Sequence, residues 1–167
     1  MTGLLYALSI VSLLLAGAIF GFFYAWLCST MWGLDAVDPL VAITAMQSIN
    51  VSIRNAVFAM AFFGTPMALL VTAFIARADR RKSAALAFAL AAVVYAGGAF
   101  VPTALVSVPM NEALASVAPA IVRASAETIW RDYSAPWQFW NTVRTAGCAA
   151  TLALTGLGLM QLHRRIA

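Results

Sequence analysis

The stretch LLYALSIVSLLLAGAIFGFFYAWL, Leu4–Leu27, runs 24 residues without a charged side chain. As a helix at ~1.5 Å per residue it reaches across the ~30 Å hydrocarbon core of a bilayer. Three further apolar runs follow, Ala56–Ile75, Ala84–Val101 and Val143–Leu162. None shows the ~10-residue alternation of membrane strands. Composition agrees. The 167 residues are 63% hydrophobic and 10% charged, with a mean hydropathy of +0.91, whereas soluble domains carry about 25% charged residues. An all-α fold follows: a four-transmembrane-helix bundle forming a single membrane domain over 1–167, with spans near 4–27, 56–75, 84–101 and 138–162.

The formal charge of +4 marks orientation rather than nucleic-acid binding, because no dense basic tract is present. Arg77, Arg80, Arg81 and Lys82 lie between spans two and three, and Arg164 and Arg165 follow span four, beside the single histidine, His163. Loops rich in Lys and Arg are cytoplasmic. Both termini are therefore expected in the cytoplasm of a plasma (inner) membrane protein, with 28–55 and 102–136 outside. The first run lacks a basic leader and a clear cleavage site, and reads as a span. Cys28 and Cys148 are too few for a disulfide framework.

Each external segment is long for a bundle connection, and each carries helix signals. Asp38-Pro39 is an N-cap followed by a first-turn proline, so a helix should begin there and run into span two. Gln47, Asn50 and Arg54 share one face of it, at i, i+3 and i+7. In the second segment the proline of VPMN, Val108–Asn111, predicts an extended or turning stretch. Pro119 opens a helix over about 120–133, on which Arg123, Glu127 and Arg131 can pair, and Pro136 starts span four. These pieces predict a small extracytoplasmic helical cap.

Where the cap meets span four the sequence reads WRDYSAPWQFWNTVR, Trp130–Arg144. Trp137, Asn141 and Arg144 stand at i, i+4 and i+7, within roughly 60° of one another on a helix. A lipid anchor needs only rings, as in an aromatic belt over a snorkelling arginine. An amide and a guanidinium aligned beneath the rings fit an inward, partly desolvated anion site as well. The Gln47–Asn50–Arg54 face lies at similar depth and could pair with this stripe, as structural glue or as a second wall.

Asn111 and Glu112 are further candidates, Glu112 as an acid–base group or as a solvated loop acid. Asp132 neighbours Arg131 and offers the same choice. No His/Cys/carboxylate cluster has metal-ligand spacing, and one histidine cannot hold a bis-histidine haem within one chain. Nucleotide-binding and nucleophile-elbow motifs are absent. Gly97-Gly98 in span three suits close helix contact.

Phe22-Phe23-Tyr24, AMQSIN at Ala45–Asn50, VPMN at Val108–Asn111 and Trp130-x-x-Tyr133-x-x-x-Trp137-x-x-Trp140-Asn141-x-x-Arg144 occur in this order along the chain. In these motifs the chain resembles the anthrone oxygenase-like integral membrane proteins. The resemblance implies a membrane oxidoreductase acting with molecular oxygen on an acidic aromatic C–H substrate, without metal or flavin. It implies that Asn50, Asn111, Asn141 and Arg144 stabilise an enolate-like oxygen; where some relatives offer a histidine as base this chain has none outside, and Glu112 or Asp132 would have to serve. Tyr24, Trp130, Tyr133, Trp137 and Trp140, with Gln47 and Arg54, would hold the ring. The partners expected are the lipid bilayer and a hydrophobic aromatic small molecule. Homo-oligomerisation, and a haem or metal held between copies, stay open. The alternative is a non-catalytic four-helix membrane protein binding a lipid, a quinone or a partner subunit.

Overall fold

The computed structural model describes residues 2–118 and 123–163, with side chains for 3–118 and 125–162. The expectations for Pro119, the start of the following helix, the side chains of Arg123 and His163, and Arg164 and Arg165 lie outside these. Among the described residues there is no strand. The chain forms α1 (Gly3–Asp35), α2 (Pro39–Ser52), α3 (Ala56–Ala78), α4 (Lys82–Ala115) and α5 (Arg123–His163). Four of these, α1, α3, α4 and α5, are long and apolar enough to cross a membrane, as the hydrophobic runs require.

The helix at Asp38-Pro39 begins as read: the Asp38 carboxylate accepts from the Leu40 N–H at 2.9 Å. It does not continue into span two. It ends at Ser52, and Asn55 caps a new helix by accepting from Phe58 N at 3.0 Å. Two proline readings are also corrected. The helix of span three runs on through Pro102, and VPMN is helical within α4. Pro136 does not start span four but lies inside α5.

The physical reason differs between the two helices. In α4, π-helical turns at Ala96–Phe100 and Thr103–Ser107 flank Pro102 and precede Pro109, and such local widening accommodates a proline in a membrane helix. In α5, tertiary bonds grip the chain on both sides of Pro136. Trp130 Nε1 (2.9 Å), Ser134 Oγ (2.7 Å) and Gln138 Nε2 (2.8 Å) all donate to the Asp35 carboxylate. Tertiary contact overrides local propensity there.

Pro66, inside α3, illustrates the same accounting. It has no N–H to offer the carbonyl of Phe62, four residues back. Tyr95 on α4, fully buried, donates its hydroxyl to that carbonyl at 2.7 Å. Tyr95→Phe is therefore expected to cost about 1–3 kcal/mol, the penalty for orphaning a buried acceptor. Pro66→Ala in the same protein should recover most of the loss by restoring the helical N–H, as read by unfolding in lipid.

Gly98 and Gly147 bring α4 and α5 together. A Cβ on Gly98 would lie 2.9 Å from the Gly147 Cα, and one on Gly147 would lie 2.8 Å from the Gly98 Cα. The close contact expected of Gly97-Gly98 is thus made by Gly98, while Gly97 faces open space.

At the end of the bundle that carries α2, an apolar core gathers Trp26 and Met31 of α1, Ile43 and Met46 of α2, Leu114 of α4 and Trp130 of α5. These pieces form a helical cap. Gln47 ties it down, donating to the carbonyls of Leu114 (2.9 Å) and Val117 (3.2 Å) at the end of α4. Cys28 is exposed and Cys148 buried, and both are free.

Candidate functional site

Beneath the cap lies a cavity of about 510 Å³, bordered by all five helices. Its walls are aromatic. Phe22, Phe23 and Trp26 come from α1, Phe58, Phe62 and Phe63 from α3, Phe100 from α4 and Trp137 from α5. Phe62 stacks between Phe58 (5.4 Å) and Phe100 (5.6 Å), and Trp26 lies 5.0 Å from Trp137, centroid to centroid. Such walls suit a flat ring.

Arg144 lines the cavity from α5 and is 4% exposed. Its guanidinium lies 4.7 Å from the Phe23 ring and 5.0 Å from Trp137, and Nη2 donates to Asn141 Oδ1 at 3.3 Å. Asn141, 1% exposed, is fixed in turn by donating Nδ2 to the Phe23 carbonyl at 3.0 Å. Arg144 has no carboxylate partner among the described residues, and its Nε has no hydrogen-bond partner. Two cation–π contacts and one hydrogen bond return part of the several kcal/mol that burying a cation costs.

Asn50 is held by a chain of hydrogen bonds that starts at Trp137 and Tyr133. Trp137 Nε1 can only donate, and it donates to Asn111 Oδ1 at 3.2 Å; the Tyr133 hydroxyl donates to the same oxygen at 2.8 Å. The Asn111 amide is thereby oriented, and its Nδ2 donates to Asn50 Oδ1 at 3.1 Å. Asn50 Nδ2 is left buried without a partner.

The third contribution comes from the π turn Thr103–Ser107. Elsewhere in the bundle, hydroxyls bond back to the carbonyl four residues earlier, as Thr65 (2.6 Å), Thr145 (2.8 Å) and Thr155 (2.7 Å) do. Thr103 Oγ1 and Ser107 Oγ, both at the cavity, are buried and make no bond at all. Widened turns of this kind often occur at functional sites. The other two in the described residues supply Trp26 and Phe100. Of five buried, unpartnered side-chain polar atoms among the described residues, four belong to cavity residues: Asn50 Nδ2, Thr103 Oγ1, Ser107 Oγ and Arg144 Nε. Every one of the four can donate a proton. Replacing Thr103 with Val and Ser107 with Ala is expected to raise the stability of the ligand-free protein by about 1 kcal/mol or more, because buried unsatisfied groups are removed. The same change should weaken ligand binding, as read by thermal unfolding with and without ligand.

The structure brings Asn50, Arg54, Asn111, Trp137 and Arg144 to the cavity, with Tyr133 and Asn141 directly behind them. Other sequence candidates stand elsewhere. Glu112 is exposed and away from the cavity, because Asn111 turns toward α5 and the next residue on a helix points ~100° away. Asp132 is exposed and paired with Arg131 at 3.1 Å. Tyr24 is exposed and stacked on Phe20, since its neighbour Phe23 takes the inward position. Trp130 shares a face with Trp137 but sits two turns farther into the cap, bonded to Asp35. Trp140 packs its edge on Phe139, and Gln47 is committed to backbone carbonyls. Thr103 and Ser107 were not singled out in the sequence. Their only signal is a hydroxyl pair four apart just after Pro102.

Among the described residues no group of three His, Cys, Asp or Glu could hold a metal ion. A family model described as "Anthrone oxygenase" matches residues 54–154, more than half of the chain, and suggests an oxygenase-type function. The match takes in Arg54, Thr103, Ser107, Asn111 and Arg144, while Asn50 lies before it. No curated protein and no solved structure matches the chain.

Proposed function

We propose, because this chain belongs to the anthrone oxygenase family, that the cavity takes an acidic aromatic C–H compound, an anthrone or quinol-like molecule, as its anion and presents it to molecular oxygen. The observation that carries this reading is an aromatic cavity with no carboxylate in its lining, four of whose lining residues, Asn50, Thr103, Ser107 and the cationic Arg144, each hold a buried donor without a partner. An oxyanion with several acceptor lone pairs answers that set. Arg144 and the Asn50 amide would stabilise it, preorganised by Asn141 and by Asn111 with Tyr133. The aromatic walls would hold the ring.

The positive group favours loss of the substrate proton, so the oxygen-bearing anion forms on binding and the proton leaves to solvent. The carbanion form then passes an electron to oxygen. The resulting radicals combine to a peroxide, and loss of water leaves a carbonyl: one methylene and one O₂ give one ketone and one H₂O. Arg77, Arg80, Arg81 and Lys82 cluster at the bundle end away from the cap, which supports a cap outside the cytoplasm and cytoplasmic termini.

Oxygen uptake by the purified protein in nanodiscs with 1,8-dihydroxyanthrone tests the proposal. One O₂ consumed per quinone formed, above the buffer rate, is expected. A rate equal to buffer, with the product quinone still bound, would leave the binding-protein reading instead. The lack of any carboxylate or histidine in the cavity lining is what favours that second reading.

A further inference from the structure

The cavity is not closed on all sides. α3 packs along α1 and along the Lys82–Tyr95 part of α4, but beyond that point α4 turns to α5 and α2. The two helices separate past the Phe63–Phe100 contact, where the ring centroids are 5.9 Å apart. Several cavity residues are consequently exposed: Phe63 at 52%, Phe100 at 36% and Val108 at 39%, with Ala104 between the last two.

The surface around this opening has the chemistry of a lipid face. Val57 (75%), Met60 (64%) and Leu105 (72%) flank it on the two helices, and all belong to segments apolar enough to span a membrane. At its other end stand Arg54 and Asn55, exposed and also lining the cavity. From Asn55 to Phe63 the opening is about 12 Å long, at ~1.5 Å per residue. Its long edges are apolar and its one polar corner is cationic.

We infer that the cavity is loaded sideways from the bilayer, through the slot between α3 and the Phe100–Val108 part of α4. Its ligand is a membrane-dissolved amphiphile whose acidic oxygen is guided past Arg54 toward Arg144. The nature of the ligand rests on the function proposed above, while the slot rests on the helix geometry alone. An apolar ring crosses such a slot without leaving lipid, and only its oxygen has to pass from the interface to the buried donors. Arg54, in contact with water, attracts an anion but does not trap it; Arg144, desolvated, does.

The slot is tested with Ala104→Cys in a Cys28→Ser background, reconstituted in nanodiscs. N-(1-pyrenyl)maleimide serves as the bilayer-dissolved thiol probe, and sulfonatoethyl methanethiosulfonate as the water-bound, anionic one. Each rate is divided by that reagent's rate with a free thiol in solution, and the Cys28→Ser parent sets the background from Cys148. The pyrenyl reagent is expected to label at least tenfold faster on this scale. Equal labelling, or faster labelling by the sulfonate, means that the cavity opens to water and overturns the inference. Labelling by neither reagent means a closed wall and overturns it equally. Val108→Cys repeats the test if the first variant fails to fold. Preloading the bilayer with 1,8-dihydroxyanthraquinone reads the ligand separately. Failure of that molecule to slow labelling would count against the proposed substrate class and leave the slot standing.

Discussion

Arg144→Met is expected to leave the ligand-free protein folded and no less stable, while weakening binding of a hydroxyanthraquinone about 100-fold or more and lowering turnover about 10²–10³-fold. The two halves of this result have one cause. Arg144 is a buried guanidinium whose partners are two ring faces, at 4.7 and 5.0 Å, and one amide oxygen at 3.3 Å. With no counter-ion in the cavity lining, its desolvation is only partly offset, and an apolar side chain of similar length removes that cost. When an anion is bound the balance reverses. Removing one member of a buried, hydrogen-bonded charge pair costs 2–5 kcal/mol or more, and losing a preorganised donor to a developing oxyanion costs about 10²–10³ in rate. Arg144→Lys keeps the charge without the planar fork and should fall between the two. Thermal unfolding, a binding isotherm and oxygen uptake on the same sample separate these effects. Should Arg144→Met unfold the protein while Arg144→Lys does not, the arginine is a structural post and the anion site is lost as an idea.

Gly147→Leu is expected to abolish the folded bundle, and Gly147→Ala to cost about 1–3 kcal/mol in spite of alanine's better helix propensity. The added Cβ would stand 2.8 Å from the Gly98 Cα and 2.9 Å from its carbonyl carbon. Those are backbone atoms, which cannot rotate aside, so α4 and α5 must separate. Gly97→Ala is the control. Its Cβ meets nothing within 4 Å, and the change should be neutral or stabilising by up to about 1 kcal/mol. Separation also reaches the site, because Arg144 is one turn from Gly147, and Thr103 and Ser107 are one to three turns from Gly98. Gly147→Ala protein that still folds should therefore bind ligand more weakly than the Gly97→Ala control. Equal stability and equal binding in the two alanine variants would show that the helices do not approach this closely.

How much of this was legible beforehand depends on the kind of information involved. Chain length above ~20 apolar residues determines a membrane helix wherever it stands, so the four spans could be read one segment at a time. The start of α2 was legible for the same reason, since Asp38 and Pro39 act on the turn that contains them. So was the stripe of Trp137, Asn141 and Arg144, because helical spacing alone puts it on one face.

Other features are set by partners far along the chain. Pro102 and Pro136 are ordinary helix breakers by local rules. They are absorbed here by π turns in α4 and by Asp35, about a hundred residues from Pro136. Asn50 becomes a free donor only because Trp137 and Tyr133 fix Asn111, which fixes it in turn. Glu112, Tyr24 and Trp140 were plausible by residue type, yet adjacent residues on a helix cannot all face one cavity.

The sequence by itself determined that four helices are long and apolar enough to cross a membrane, that a further helix begins at Asp38-Pro39, and that an arginine shares a helix face with Trp137 and Asn141. Only the tertiary structure decided which faces of nearly uniformly apolar helices turn inward. Lipid and protein core are equally apolar surroundings for Leu, Phe and Ala, so burial leaves almost no periodic trace in such helices. Phe62 rather than Met60 is turned inward by its packing on Tyr95 and Phe100 of α4, and the approach of α4 to α5 is set at Gly98 and Gly147.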